Sequence, residues 1–434
     1  MLCNYYNLFL ASGKYIFHRI TEFITITVAL FAMNVSSGDY DFLIIGAGST
    51  GTSIAYHLAL MGKKVAVVDR GGIAAGNTGK SSALVRTHYS NELIARMALY
   101  SQNIFRDFQK IGYSGFTRTG MIFPFGRNYK DVARENVGML RSIGVDEPEI
   151  DVKKVREYFH DVNLDGYEYI CYEPESGYAD PVATSNSFAD KARELGAQFI
   201  PKKSVASVES RKEGAEAELA GGGKMRASKI ILAANVWTNS LLSASGISKS
   251  HLLPIHASLH GIIYLRRPEE YRGIRPTLWD PRHLSYYKME GTSLTAVGSL
   301  DPKLDEKAVD PDEPIPEAAE DDYVEKHLEI LTETLPSMEK ATLVSTLTGL
   351  YDMTPDGQAI IDSLSPIGLD NIYAIAGLSG HGFKLSPAYG KIVSDMATGQ
   401  APEKSLFDWA HFSMGRFSSG KMIKSRYEDI GTIY

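Results

Sequence analysis

Apolar positions along this chain change rhythm twice, and each rhythm predicts a different kind of element. Near the start, Phe42-Leu43-Ile44-Ile45 is a continuous apolar run that breaks at Gly46. A helical stretch from Thr52 to Met61 ends at Gly62, and a second apolar strand, Lys64 to Val68, follows. Continuous runs bounded by glycine predict strands buried on both faces of a parallel sheet. Further on, Lys203–Glu209 alternates, Ala215–Leu219 reads as its hairpin partner, and Lys229–Ala234 after the Gly221-Gly222-Gly223 turn is again continuous. Between Pro254 and Gly298 the pattern becomes alternating, in His260–Leu265, Leu284–Met289 and Ser293–Val297, which predicts a separate antiparallel sheet. The acidic, proline-bearing segment Asp301–Asp322 reads as a solvated loop before a helix from Tyr323 to Leu335. Strand–turn–helix order then returns with Ile372–Ala376 and a helix from Leu385 to Ala397, so the first domain is expected to be discontinuous.

The turn between the first strand and helix, Gly46-Ala47-Gly48-Ser49-Thr50-Gly51, carries the first chemistry. Gly46 permits the tight turn, Gly48 lets a pyrophosphate approach the backbone, Gly51 permits close helix–strand packing, and the helix N-terminus presents N–H groups to phosphate. The second strand ends in Asp69, about 20 residues on, where a ribose-binding acid is expected. A second apolar strand feeds Gly377-Leu378-Ser379-Gly380-His381-Gly382-Phe383-Lys384 ahead of a helix, whose positive end suits the negative charge of a reduced flavin. The expected class is α/β. It comprises a Rossmann-like cofactor-binding domain with a parallel sheet (37–120, 168–250 and 345–417) and a smaller antiparallel substrate domain (121–167 and 251–344), followed by a tail (418–434).

Composition narrows the class without changing it. With 44% hydrophobic and 22% charged residues and a formal net charge of −7, the chain reads as an enzyme with sizeable cores, and a nucleic-acid partner is not expected. Only Cys3 and Cys171 are present, so no disulfide framework or Cys-based metal motif is expected, and a reducing cytoplasm fits. Residues 1–36 form an N-terminal extension. Its apolar run Ile24–Met33 is shorter than the roughly 20 residues of a membrane span, and an upstream extension with Met33 as alternative start is the preferred reading. A signal-peptide core and a membrane-associating helix are the alternatives.

From about Asp41 to Phe417 the chain resembles the D-amino-acid-oxidase-like superfamily of FAD-dependent oxidoreductases. The branch is that of sarcosine oxidase beta subunit, dimethylglycine dehydrogenase and dye-linked L-proline dehydrogenase. The resemblance rests on Gly46–Gly51, the Asp69-terminated strand, Gly76–Ser82, Ala233-Ala234-Asn235-Val236-Trp237, Gly349–Gly357 and Gly377–Lys384. Asn235 departs from the usual glycine. The resemblance implies FAD contacts from Gly46, Ala47, Gly48, Ser49, Thr50, Gly51, Asp69 and Arg70, and from Thr78, Lys80, Ser81 and Ser82. Val205, Ala234, Trp237, Gly349, Gly380, His381, Gly382, Phe383 and Lys384 complete the expected set.

The chemistry so implied is hydride removal from a carbon next to nitrogen. Arg86 matches the arginine that binds substrate carboxylate, and Lys384 matches the second cation. Tyr351 and Tyr286 are the expected pocket tyrosines, with Tyr287 adjacent, while His256 and His260 have no assigned role. Plainer roles stand beside these: a surface ion pair for Arg86, a solvated first-turn lysine for Lys384 and core packing for the tyrosines. Gly349 and Lys80 stand where relatives carry the cysteine or histidine that tethers flavin, so noncovalent FAD is expected. No lysine lies between Glu290 and Asp301, where Ala296 aligns with an oxygen-activating lysine. A buried cation stabilises forming superoxide, so a dehydrogenase is expected over an oxidase. The expected substrate is a small secondary or tertiary amino acid, with electrons passing to a quinone, dye-like or protein acceptor. A 2-hydroxy-acid or glycerol-phosphate dehydrogenase, or a partner-dependent flavoprotein subunit in a hetero-oligomer, are the alternatives.

Overall fold

Short apolar runs closed by turns build the first sheet. The computed structural model describes residues 40–401 and 404–427, so the expected N-terminal extension, with Met33 and Cys3, lies outside the described residues. Five strands run parallel in the order Ile372–Ala376, Lys224–Leu232, Tyr40–Ile45, Val65–Val68 and Gln198–Ile200, and Ile360–Ser363 adds an antiparallel edge. The pleat sends alternate residues to opposite faces. Ile44, Val67, Ile231 and Ile375 pack under the helices Ser49–Leu60 and Gly382–Ala397. Leu43, Ile45, Ala66, Val68, Ile230 and Leu232 pack against the hairpin Val205–Ser210/Ala215–Leu219 and the helix Thr238–Ala244. Both faces are therefore dry, as the unbroken apolar runs require.

The second sheet is mostly antiparallel, in the order Ala308–Val309, His256–Arg266, Leu294–Ser299, Ser285–Glu290, Thr277–Asp280, Met121–Gly126 and Tyr167–Glu173. Thr342–Met353 also pairs with His256–Arg266, from Thr342 opposite Arg266 to Met353 opposite His256. Its register sets one face toward the first domain: Tyr286 lies opposite Gly298, Lys288 opposite Ala296, His260 opposite Gly349 and Ser258 opposite Tyr351. A small three-stranded sheet, Leu84–Val85, Gly177–Tyr178 and Thr117–Arg118, leads directly into Arg86.

Two expectations change. Tyr167–Glu173 and Thr342–Met353 were expected largely, though not wholly, in the cofactor-binding domain, but cross-strand hydrogen bonding puts both in the second sheet. The acidic 301–322 segment is more than a solvated loop. It contains a short helix, Pro302–Asp305, and a strand, Ala308–Val309, and the Pro311 carbonyl accepts from Trp237 Nε1 at 3.0 Å. The tail is packed as far as it is described, with Ile423 and Tyr427 buried. Arg416 holds Asp356 through two contacts of 2.7 and 2.9 Å, and Ile423 N–H donates to the same carboxylate.

Candidate active site

The glycine turn is shaped by contacts that a side chain would fill. Gly46 has φ +112°, and a Cβ there would sit 2.3 Å from the Ala233 carbonyl oxygen; a Cβ on Gly51 would sit 2.0 Å from the Gly46 oxygen. The helix begins at Ser49, three residues before the sequence-predicted start, because Gly48 serves as N-cap in extended backbone. Above this turn opens a cavity of about 450 Å³, with the N-termini of both helices, Ser49–Thr50–Gly51 and Gly382–Phe383, in its wall. The positive ends of two helices and an absence of side chain at the turn fit a long cofactor that is anionic at more than one point.

The structure brings most of the expected cofactor residues together here. Gly46, Gly48, Ser49, Thr50, Gly51, Asp69 and Arg70 line the cavity, as do Thr78, Lys80, Ser81, Ser82 and Val205. So do Ala234, Trp237, Gly349, Gly380, Gly382, Phe383 and Lys384. Asp69 also braces the turn: one oxygen accepts from Ala47 N–H at 2.8 Å, the other from Gly71 and Gly72 N–H at 2.7 and 2.8 Å. At one end the Arg70 guanidinium stacks 3.7 Å from the Trp237 ring. Asn235 adopts the left-handed φ of +54°, which asparagine tolerates better than most residues, and its side chain accepts from Asn77 Nδ2 at 2.8 Å. Two of the expected residues do not line this cavity. Ala47 is buried behind the wall, its N–H on Asp69 and its carbonyl on Ala74 N–H. His381 lines a different cavity.

That second cavity, about 60 Å³, shares Ser82, Leu84, Tyr351, Gly380 and Lys384 with the first. Arg86 and Lys384, nearly 300 positions apart in sequence, both line it, together with Tyr286, Tyr351, His260 and His381, and no acid is among its lining residues. Arg86 is 7% exposed, donates to the His88 carbonyl and lies 4.2 Å from the Tyr89 ring centroid, so it is no surface ion pair. The Lys384 ammonium donates to the Gly380 carbonyl at 3.1 Å. Burial, then the charge of Arg86, holds Lys384 well below the usual lysine range. His381 Nδ1 meets the Tyr89 hydroxyl at 2.9 Å, and burial followed by the charges of Lys384 and Arg86 keeps the imidazole neutral at pH 7. Two cations walled by apolar and neutral groups make a site for a small anion such as a carboxylate.

Sequence reasoning missed several groups that only pairing reveals. His260 stacks on Tyr351 with centroids 3.9 Å apart and meets Ser258 Oγ at 3.0 Å, and Phe123 and Trp279 close the wall. Tyr286 faces the cavity while Tyr287 turns into the core and donates to Asp280 at 2.8 Å. Asp352, on the larger cavity, accepts from Gly377 N–H at 2.7 Å, and burial pushes its carboxyl up to about 6. A lysine does stand near Ala296, on the neighbouring strand: Lys288 is buried opposite it, its ammonium 2.9 Å from the Ser82 carbonyl and 2.9 Å from Glu290. It lines neither cavity.

Comparison with known proteins bears on the family and the fold. The chain is 24% identical over 376 residues to the mitochondrial pyruvate dehydrogenase phosphatase regulatory subunit of Mus musculus, covering 84% of this chain and 42% of that protein. It is 25% identical over 397 residues to sarcosine oxidase subunit beta of Arthrobacter sp, covering 88% and 92%. It spans under half the length of the first curated relatives it matches. The fold is shared with L-proline dehydrogenase from P. horikoshii, at TM-score 0.79 and 21% identity over 89% of this chain and 99% of that one. The model of the FAD dependent oxidoreductase (DAO) family matches residues 41–396, across the glycine cradle, both cavities and the second helix end, and the chain belongs to that family.

Proposed function

We propose that this FAD-dependent oxidoreductase oxidises the C–N bond of a small secondary or tertiary amino acid, of the sarcosine, dimethylglycine or proline class, to an imine that water can hydrolyse. The observation that carries this reading is the paired cations Arg86 and Lys384 in a small cavity that shares a wall with the cofactor cavity. When bound, FAD supplies the hydride acceptor. Arg86 and Lys384 hold the substrate carboxylate, and that grip orients the C–H bond next to nitrogen toward the shared wall. Tyr286, Tyr351 and the stacked His260 confine the rest of a compact substrate. Neutral His381 holds its hydrogen bond to Tyr89 and adds no third charge. Attachment of FAD is noncovalent in this reading, since Gly349 offers no nucleophile; acid precipitation should release all the yellow colour into the supernatant.

The enzyme is proposed as a dehydrogenase serving a quinone, dye-like or protein acceptor. The support is that Ala296 is itself no cation, and that Lys288, which shares the face of Tyr286 and Ala296, is engaged by the Ser82 carbonyl and Glu290. The test is the visible spectrum under anaerobic conditions during addition of sarcosine, dimethylglycine, L-proline, D-amino acids, glycine and 2-hydroxy acids in turn. Bleaching by a secondary or tertiary amine acid supports the reading, and bleaching by hydroxy acids alone overturns it. Similarity to a regulatory subunit and to a beta subunit favours one second reading, a flavoprotein subunit that needs a partner chain. Flavin that stays oxidised with every substrate, and bleaches only after a partner is added, would select it.

A further inference from the structure

The segment that carries Arg86 is gripped residue by residue from behind. Thr87 donates from its N–H to Glu173 at 2.9 Å and from its hydroxyl to the same oxygen, and Ser176 holds the other oxygen. His88 is fully buried, with Nδ1 at 2.6 Å from Glu147 and Nε2 at 3.1 Å from the Tyr427 hydroxyl. Its ring stacks on Phe123 with centroids 4.5 Å apart, and Phe123 lines the smaller cavity. Glu147 also accepts from the Cys171 thiol at 2.9 Å. The His88 carbonyl receives the Arg86 guanidinium. Three stretches of chain distant in sequence, at Phe123, Glu147 and Tyr427, thus converge on one imidazole that lines neither cavity.

His88, Glu147 and Cys171 are metal-ligand types within 4.8 Å of one another. The 2.6 Å contact between His88 and Glu147 is a hydrogen bond, however, and is too short for two ligands of one zinc ion, whose donor atoms stand roughly 3.3 Å apart at Zn–N and Zn–O lengths near 2 Å. The pair has a different use. A guanidinium that commits one N–H to a carbonyl is aimed by that carbonyl, and the His88 carbonyl belongs to a residue whose ring is anchored by Glu147, Tyr427 and Phe123.

We propose that the buried His88–Glu147 pair is the positioning element of the carboxylate clamp: by locking the His88 ring it fixes the carbonyl that aims Arg86 into the substrate cavity. The proposal rests on the reading that Arg86 binds a carboxylate. Acetate, which cannot be oxidised here, is the probe, and its binding is read from the shift it causes in the flavin visible spectrum, alongside substrate KM and kcat, flavin content and melting temperature. His88→Leu and His88→Asn are close in shape, and only the second keeps a donor on the side of Glu147. The expected result is acetate binding and KM weakened at least 10-fold in His88→Leu with kcat within 3-fold, and both restored to within 3-fold of the parent in His88→Asn.

Glu147→Met approaches the pair from the other side and should weaken acetate at least 10-fold with the imidazole intact. Arg86→Met separates the two claims. If it leaves acetate binding unchanged, the reading of the site fails. If it abolishes binding while His88→Leu and Glu147→Met leave it unchanged, the site reading stands and the positioning proposal is overturned. Equal losses in His88→Leu and His88→Asn, or failure of both His88→Leu and Glu147→Met to fold with FAD, would make the pair a holder of the fold and overturn it as well.

Discussion

Arg86 and Lys384 show how much a residue's neighbours decide. Each is a cation beside another cation, and Lys384 is pulled well below the usual lysine range by burial and then by Arg86. A carboxylate between them relieves both costs. Lys384→Met should therefore raise KM for the amino acid by roughly 10- to 100-fold, as expected for loss of a charge-assisted hydrogen bond of about 1.5–3 kcal/mol, in steady-state kinetics normalised to bound flavin measured by absorbance. Ala296 makes the opposite kind of test, since it lies on the same sheet face as Tyr286. Ala296→Lys should speed reoxidation of the reduced enzyme by oxygen at least 10-fold, followed by stopped-flow absorbance, whereas Lys288→Met should leave that rate within a factor of two. Equal rates in parent and Ala296→Lys would remove the argument for a dehydrogenase.

At the scale of elements, the two strand–glycine–helix units do the same work in the wall of the cofactor cavity. Each ends a buried parallel strand in a turn where a side chain would collide with backbone or a packed neighbour. At Gly51 the collision is with the Gly46 oxygen at 2.0 Å, and backbone cannot swing aside as a side chain can. Gly51→Ala should therefore lose FAD during purification and lower stability by several kcal/mol through forced backbone shifts, about the range seen for severe overpacking; a retained yellow colour with an unchanged melting temperature would contradict this. Gly62 offers the control, because a Cβ there meets nothing within 4 Å. Its φ of +73° leaves only the left-handed strain, about 1 kcal/mol for alanine.

For the whole molecule, the two sheets are tied by buried acids and by the packed tail. Burial pushes Asp352 and Glu173 each up to about 6 from ordinary values of 3.8 and 4.5. Their folded pKa values lie above the unfolded ones, so their contribution to stability is full below about pH 4 and is lost as pH rises through 6. Asp352→Asn should gain on the parent across that window by up to about 3 kcal/mol, at 1.36 kcal/mol for each unit, measured by denaturant unfolding at pH 4 and pH 7. The buried Arg416–Asp356 pair acts in the other sense: burial opposes it, but hydrogen bonds from Arg416 and the Ile423 N–H, and then the Arg416 charge, hold Asp356 below the usual carboxylate range. Arg416→Met leaves that carboxylate buried and unpaired and should cost roughly 3–5 kcal/mol, seen as a lower melting temperature.

Local chemistry made much of this protein legible in its sequence. A glycine whose missing Cβ admits a backbone, and an apolar run too long to leave a polar face, are properties of a few adjacent residues, so both helix-end cradles and the parallel strands can be read along the chain, whereas Arg86 and Lys384 stand out only through the resemblance to a family pattern. Membership of Tyr167–Glu173 and Thr342–Met353 in the second sheet could not, because hydrogen-bond partners far away in sequence assign a strand to its sheet. The same holds for His260 over Tyr351, for His381 on the substrate side and for Lys288 across from Ala296, where strand register decides which side chains meet. Which buried residues aim Arg86 is likewise a tertiary matter: His88, Glu147, Cys171 and Tyr427 carry no spacing that links them, and only packing brings their polar atoms within hydrogen-bond distance in a place without water to compete.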